Sequence, residues 1–139
     1  MTDDCVFCKI VRGEIPSHKV YEDETVYALL DIRPANPGHT LVIPKRHAET
    51  VIDMTRDEWI ATSDTVHRLA KAIEAATNAD GLNIKMNNRV HGGQEVMHAH
   101  VHIVPRYKGD GVVQPLVQKH SYGAREAEGV IKKIEAALQ

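Results

Sequence analysis

The stretch His98-Ala99-His100-Val101-His102-Ile103-Val104 decides how this chain is read. Its histidines alternate with small or β-branched apolar residues. Side chains on a β-strand alternate between faces, so the spacing predicts a strand with His98, His100 and His102 on one face. Ala99, Val101 and Ile103 then face a core. Imidazole is the side chain whose ordinary pKa lies nearest neutrality, so such a row suits nucleophilic, proton-transfer or metal chemistry.

Working outward, the strand is expected to end at Pro105. Leu82, Ile84 and Met86 alternate with Asn83, Lys85 and Asn87 and predict a neighbouring strand over 82–87. A polar, glycine-bearing loop over 88–95 joins the two. Thr55-Arg56-Asp57-Glu58 fits a capping box, a Thr N-cap with Glu at the third helical position. Trp59, Thr62, Val66, Leu69, Ala70 and Ile73 fall on one stripe at helical spacing, which predicts a long helix ending near 78–81. Segments 19–22 and 25–30 read as a hairpin around Asp23-Glu24. The run 33–38 is loop chemistry, and 40–43 is a further strand stopped by Pro44. Residues 5–12 read as a short helix or turn that Gly13 ends. Val130, Ile131, Ile134 and Leu138 mark an amphipathic C-terminal helix. Together these predict an α+β fold with an antiparallel sheet.

A length of 139 residues fits one domain spanning 1–139. The net charge of −2 gives no general attraction to nucleic acid or to an anionic membrane, so an anionic ligand must be held by local groups. No apolar run reaches transmembrane length, and Met1-Thr2-Asp3-Asp4 does not read as a signal peptide, so a cytoplasmic location is expected. Cys5 and Cys8 are too close together to serve as a disulfide framework. By residue type alone, Cys5-Val6-Phe7-Cys8 fits a redox pair, two buried thiols, or half of a tetrahedral zinc site. The histidine row is open to a solvated face, a mononuclear metal site or nucleophilic catalysis. An apolar opposite face disfavours the first. Ile103 and Val104, standing where a metallo-hydrolase would carry an acidic ligand, disfavour the second.

The pattern His-φ-His-φ-His-φ-φ (φ being apolar) resembles the signature of the histidine triad (HIT) family of nucleotide hydrolases and transferases. Val6-Phe7-Cys8-Lys9-Ile10, Glu14-Ile15-Pro16, Tyr21-Glu22-Asp23, Leu30-Asp31-Ile32 and the run from Gly38-His39 to Arg46-His47 are similar to that family's N-terminal half, in the same order. Gly92-Gly93-Gln94 and Pro105-Arg106-Tyr107 flank the triad as in bacterial members. The resemblance is strongest over 5–111, and 112–139 matches it less clearly.

This resemblance implies a HIT-like fold, an antiparallel sheet of about five strands with one long helix and a C-terminal helix. It implies a nucleotide hydrolase of the nucleoside phosphoramidase type, acting on purine, chiefly adenosine, nucleotides. His100 would attack the α-phosphorus, and water would cleave the nucleotidyl-histidine. His98 and His102 would meet phosphate oxygens or protonate the leaving group, with His39 in support. Asp31 would accept from the ribose hydroxyls. Phe7, Ile10, Leu29, Ile32 and Leu41 would wall the base. Asn87, Gly93 and Val96 would meet phosphate. Zinc-bearing members imply a structural zinc on Cys5, Cys8, His47 and His98. A homodimer joining two sheets is also implied. The rival readings are a dinucleoside polyphosphate hydrolase, a metal-dependent hydrolase, and a nucleotide-binding or scaffold module with incidental hydrolysis. Glu95 departs from the serine that many phosphoramidase-type members carry there. His18, His67, His91 and His120 are expected to be surface or loop residues.

Overall fold

The computed structural model describes residues 4–112 and 120–139. Residues 1–3 of the acidic N-terminus and 113–119 of the C-terminal segment lie outside the described residues. The strands are β1 (Lys19–Glu22), β2 (Val26–Leu30), β3 (Thr40–Pro44), β4 (Gly81–Lys85) and β5 (Val101–Arg106). They form one sheet in the order β1-β2-β3-β5-β4, every neighbouring pair antiparallel. The helices are α1 (Val6–Val11), α2 (Arg56–Thr77) and α3 (Glu126–Ala137). No helix among the described residues is long and apolar enough to cross a membrane.

Local chemistry sets most of these boundaries. The Asp23 carboxylate accepts the N–H groups of Thr25 and Val26, which turns β1 into β2. The capping box at Thr55 and Glu58 forms reciprocally, satisfying two backbone donors that a helix start leaves orphaned. Asn78, left-handed at φ 54°, closes α2.

Residues directly opposite on paired strands share a face. Ala28, Val42 and Val101 form one such row, and Leu30, Thr40 and Ile103 another. Both rows face α2 and α3, where Leu69, Ile73 and Ile134 are buried with them. Burying each such leucine or isoleucine stabilises by roughly 1.5–3 kcal/mol. Leu29, Leu41 and His102 form a row on the other face. Over that face α1 lays Phe7 and Ile10, which cluster with Tyr27, Leu29, Leu41 and Ile43.

The histidine strand differs from expectation at both ends. It begins at Val101, because pairing with β3 reaches only as far as Val42 opposite Val101. Before that point Ala99 N–H donates to the Ala48 carbonyl at 2.7 Å, so Ala99 bonds to the loop after β3 and not to a strand. The strand also runs through Pro105, opposite Leu82 of β4. The Pro105 carbonyl accepts from Asn36 Nδ2, so its nitrogen side faces a loop beyond the end of β3, where no ladder donor is needed. On the edge, β4 stops at Lys85, short of the expected Asn87.

Candidate active site

The three histidine rings remain neighbours. Phe7 meets both His98 and His100 edge-on, at 5.8 and 5.3 Å between centroids, and His100 meets His102 at 5.0 Å. What separates them is the group each ring nitrogen faces.

His100 Nδ1 lies 2.7 Å from the His98 carbonyl oxygen. A carbonyl only accepts, so Nδ1 carries the proton and Nε2 keeps its lone pair. That Nε2 has no partner among the described residues. It is also absent from their buried unpartnered atoms, so it meets solvent. Burial lowers the His100 pKa, which favours the neutral ring.

His39 is fixed from the opposite side. The N–H of Ala35 donates to its Nδ1 at 3.0 Å, so the proton sits on Nε2. Nε2 is 2.9 Å from His102 Nδ1 and 3.7 Å from an Asp31 carboxylate oxygen. The shorter contact is a hydrogen bond to His102, which leaves the His102 proton on Nε2, facing solvent like that of His100. Burial pushes His39 down to about 4 and His102 down to about 3, so both rings are neutral near pH 7. The separation of 2.9 Å is shorter than the roughly 3.3 Å between nitrogens on one tetrahedral zinc. Asp31, His39 and His102 thus read as a hydrogen-bonded group. Burial raises the Asp31 carboxyl, whose other oxygen accepts the N–H of Arg33 at 2.9 Å.

His98 faces the other way. It is fully buried, and its Nε2 donates to the Pro44 carbonyl at 2.8 Å. Nδ1 is left bare, 3.4 Å from Cys5 Sγ and 3.6 Å from Cys8 Sγ. Cys8 Sγ is 3.3 Å from His47 Nδ1, and all four candidate ligand atoms lie within 4.8 Å of one another. Tetrahedral zinc, with Zn–S of about 2.3 Å and Zn–N of about 2.0–2.1 Å, separates sulfur from nitrogen by about 3.5 Å. Cys5, Cys8, His47 and His98 therefore fit such an ion, and the Pro44 carbonyl orients the ligand ring as outer partners of metal sites do. One His98 nitrogen is on the Pro44 carbonyl and the other faces the two thiols, so a zinc held there would compete with the expected phosphate or leaving-group contact of that ring.

The other expected residues divide. Phe7, Ile10, Leu29 and Leu41 come together, with Val96 packed against them. Ile32 stands outside that cluster and is 68% exposed, because the chain has already left β2. Asn87 Nδ2 donates to the Gly93 carbonyl at 3.2 Å. Gly93 has φ +91°, and a Cβ there would sit 3.1 Å from Asn87 Nδ2. Sequence reasoning missed the residue that anchors this loop. Gln94 is buried, accepts the Arg89 N–H at 2.6 Å and donates to the carbonyls of Glu49 and Val96. It also set His18 and His120 aside, yet both rings flank Tyr122. Only a fold that brings 18, 120 and 122 together makes that cluster visible.

Known proteins agree with this arrangement. A HIT domain model matches residues 12–109. A HIT-like protein of Methanocaldococcus jannaschii is 50% identical over 109 residues, covering 78% of this chain and 84% of that one. An adenylylsulfatase of Arabidopsis thaliana is 41% identical over 110 residues, covering 79% of this chain and 56% of that one. The crystal structure of a zinc-bound histidine triad family protein from Mycobacterium smegmatis superposes with a TM-score of 0.83 at 34% identity, covering 96% of this chain and 94% of that one. Sequence, sheet order and the histidine row agree, and the chain belongs to the HIT family.

Proposed function

We propose that this protein is a nucleotide hydrolase that attacks the α-phosphorus of purine nucleotides with His100. The observation that carries the reading is the 2.7 Å contact from His100 Nδ1 to the His98 carbonyl. It leaves a neutral, solvent-facing Nε2 lone pair, which is what a nitrogen nucleophile requires.

In this reading Nε2 forms a bond to phosphorus while the bond to the leaving atom breaks, and that atom keeps the bonding pair. His102 faces it with Nε2–H and stabilises the charge developing there by a hydrogen bond, while the leaving atom takes its proton from solvent. The His39 N–H donated to His102 Nδ1 keeps the ring in the tautomer that presents Nε2–H. Water then cleaves the nucleotidyl-histidine, giving nucleoside monophosphate, releasing a proton to solvent and restoring neutral His100. Asp31 takes the ribose hydroxyls. Phe7, Ile10, Leu29 and Leu41 hold the base, with Ile32 at the rim. Asn87 and the backbone N–H groups of Gly93 and Val96 meet phosphate.

We assign Cys5, Cys8, His47 and His98 to a structural zinc. Bound there, the ion supplies a cross-link between α1 and the segment entering β5. Among the described residues β1 and β4 are the edge strands of the sheet, and we propose that a homodimer joins two sheets through such an edge. The favoured substrates are adenosine phosphoramidates and nucleotidyl-lysine. The Arabidopsis relative's name adds adenylyl sulfate as a leaving-group variant of the same chemistry.

The test is turnover of adenosine 5′-phosphoramidate, adenylyl sulfate and a dinucleoside tetraphosphate by wild type and His100→Ala, with and without brief chelation. Cleavage by wild type, none by the variant and little effect of the chelator support the covalent reading, and the fastest substrate names the leaving group. Full activity in His100→Ala would exclude it. Binding of AMP without any turnover would favour a nucleotide-binding module.

A further inference from the structure

Residues 31–39 leave β2 and return to β3, carrying Asp31 at one end and His39 at the other. Asp31 N–H donates to the His39 carbonyl at 2.9 Å, and His39 N–H donates to the Asn36 carbonyl at 3.1 Å. These bonds close the loop on itself, and a distant part of the chain holds it in place. His120 N–H donates to the Pro34 carbonyl at 3.1 Å. The Tyr122 hydroxyl accepts the N–H of Gly38, the residue before His39, also at 3.1 Å. Gly38 has φ +96°, and a Cβ there would stand 2.7 Å from Thr77 Cγ2. The peptide that presents His39 is thus wedged against the end of α2 on one side and bonded to Tyr122 on the other.

The Tyr122 ring is itself fixed. It meets His18 edge-on at 6.2 Å and His120 at 5.9 Å. The His18 carbonyl accepts the N–H of Leu30, the residue before Asp31, at 2.9 Å. One side chain therefore braces the loop at both ends, at Gly38 directly and at Leu30 through His18.

We propose that Tyr122 is a positioning residue for the His39–His102 pair, its hydroxyl fixing the peptide before His39 so that Nε2–H stays aimed at His102. A tyrosine that only filled space would be replaced by phenylalanine without loss. The hydroxyl oxygen is what the Gly38 N–H requires, and phenylalanine leaves that donor without its acceptor.

The kinetic arm of the test rests on the hydrolase reading above, and the spectroscopic arm does not. With adenosine 5′-phosphoramidate, Tyr122→Phe is expected to lower kcat about tenfold with KM changed less than about twofold, the scale of one lost hydrogen bond. In a His39→Ala background the same substitution should change kcat by less than about twofold, because two residues acting through one contact are not additive. In ¹⁵N spectra of the imidazoles, wild type should show His39 with a bare Nδ1 and a protonated Nε2. Tyr122→Phe should lose that fixed pattern at His39 while His98 keeps its own. An unchanged kcat, effects that multiply in the double variant, or an intact His39 pattern would overturn the proposal. So would a loss confined to thermal stability. If wild type cleaves no nucleotide, the hydrolase reading fails, and the His39 spectrum alone decides the role of Tyr122.

Discussion

His98 and His102 sit on the same run of chain and are both buried, yet their chemistry is opposite. Around His98 the ring is closed: a carbonyl takes one nitrogen and two thiols face the other. Around His102 the ring is half open: His39 takes one nitrogen and solvent meets the other. His100 stands between them and depends on both regions. Its lone pair belongs to the open region, but its tautomer is set by the carbonyl of the closed one. A row of one residue type is thus divided into a closed and a half-open part by the groups its rings meet. In the proposed reading the closed part holds the open one in place without touching the reacting atoms.

That division predicts different outcomes for neighbouring substitutions. The largest effect belongs to His100→Ala. Removing the nucleophile should lower turnover by about 10³-fold or more. Melting temperature and bound zinc should stay near wild type, because the His98 ring contacts are untouched. Metal analysis and a thermal melt on the same sample check this, and a variant that also lost its zinc would erase the boundary between the regions. His39→Ala comes next. Loss of the donor behind His102 should cost about 10²-fold in kcat, in the range of one missing preorganised donor, again with zinc retained. Cys8→Ser acts from the closed side. Zinc content should fall well below one per chain and the melting temperature should drop. Activity should fall only about tenfold, through a less well held His98 carbonyl. Activity unchanged after zinc loss would uncouple the two regions.

The parts of this division that are local could be read from the sequence. The Thr55 capping box, the Asp23 turn and the stripe on α2 depend on residues within a few positions; the first two form as their spacing requires, and of the stripe Thr62, Val66, Leu69 and Ile73 are buried while Trp59, at the helix start, is exposed. The HIT resemblance named the histidines and cysteines that the fold brings together. The tautomers could not be read. They depend on Pro44 for His98 and on Ala35 for His39 and, through it, His102, and no periodicity in 98–104 reports on a carbonyl or an N–H from another strand or loop. The start of β5 was misplaced for a related reason. Alternation continues through 98–100, but the partner there is the Ala48 carbonyl of a loop. The resemblance places Ile32 on the wall of the base pocket. It is exposed because β2 ends at Leu30.

The smallest expected effect is on pH dependence, and it sharpens the comparison from the open side. His39 and His102 have folded pKa values of about 4 and about 3, against an ordinary value of 6.5. A histidine depressed in this way binds its proton more readily when unfolded. As pH falls below 6.5 the unfolded state gains protons that the folded state does not, so stability declines until the folded values near 4 and 3 are reached. Between those limits each of these histidines contributes a slope of at most about 1.4 kcal/mol per pH unit. Asp31 works in the opposite direction. Its folded pKa is raised by burial, so its contribution is present below the usual carboxylate range and is lost as pH rises through the folded value. It therefore offsets part of the decline at the acid end. Loss of zinc at low pH would add its own slope, so the informative quantity is a difference between proteins. His102→Asn removes one titrating ring and leaves an amide oxygen to accept from His39. Urea midpoints measured from pH 7 to pH 5 should fall less steeply for His102→Asn than for wild type. Equal slopes would mean that His102 is protonated as easily in the fold as outside it, and that the ring is not held neutral by burial.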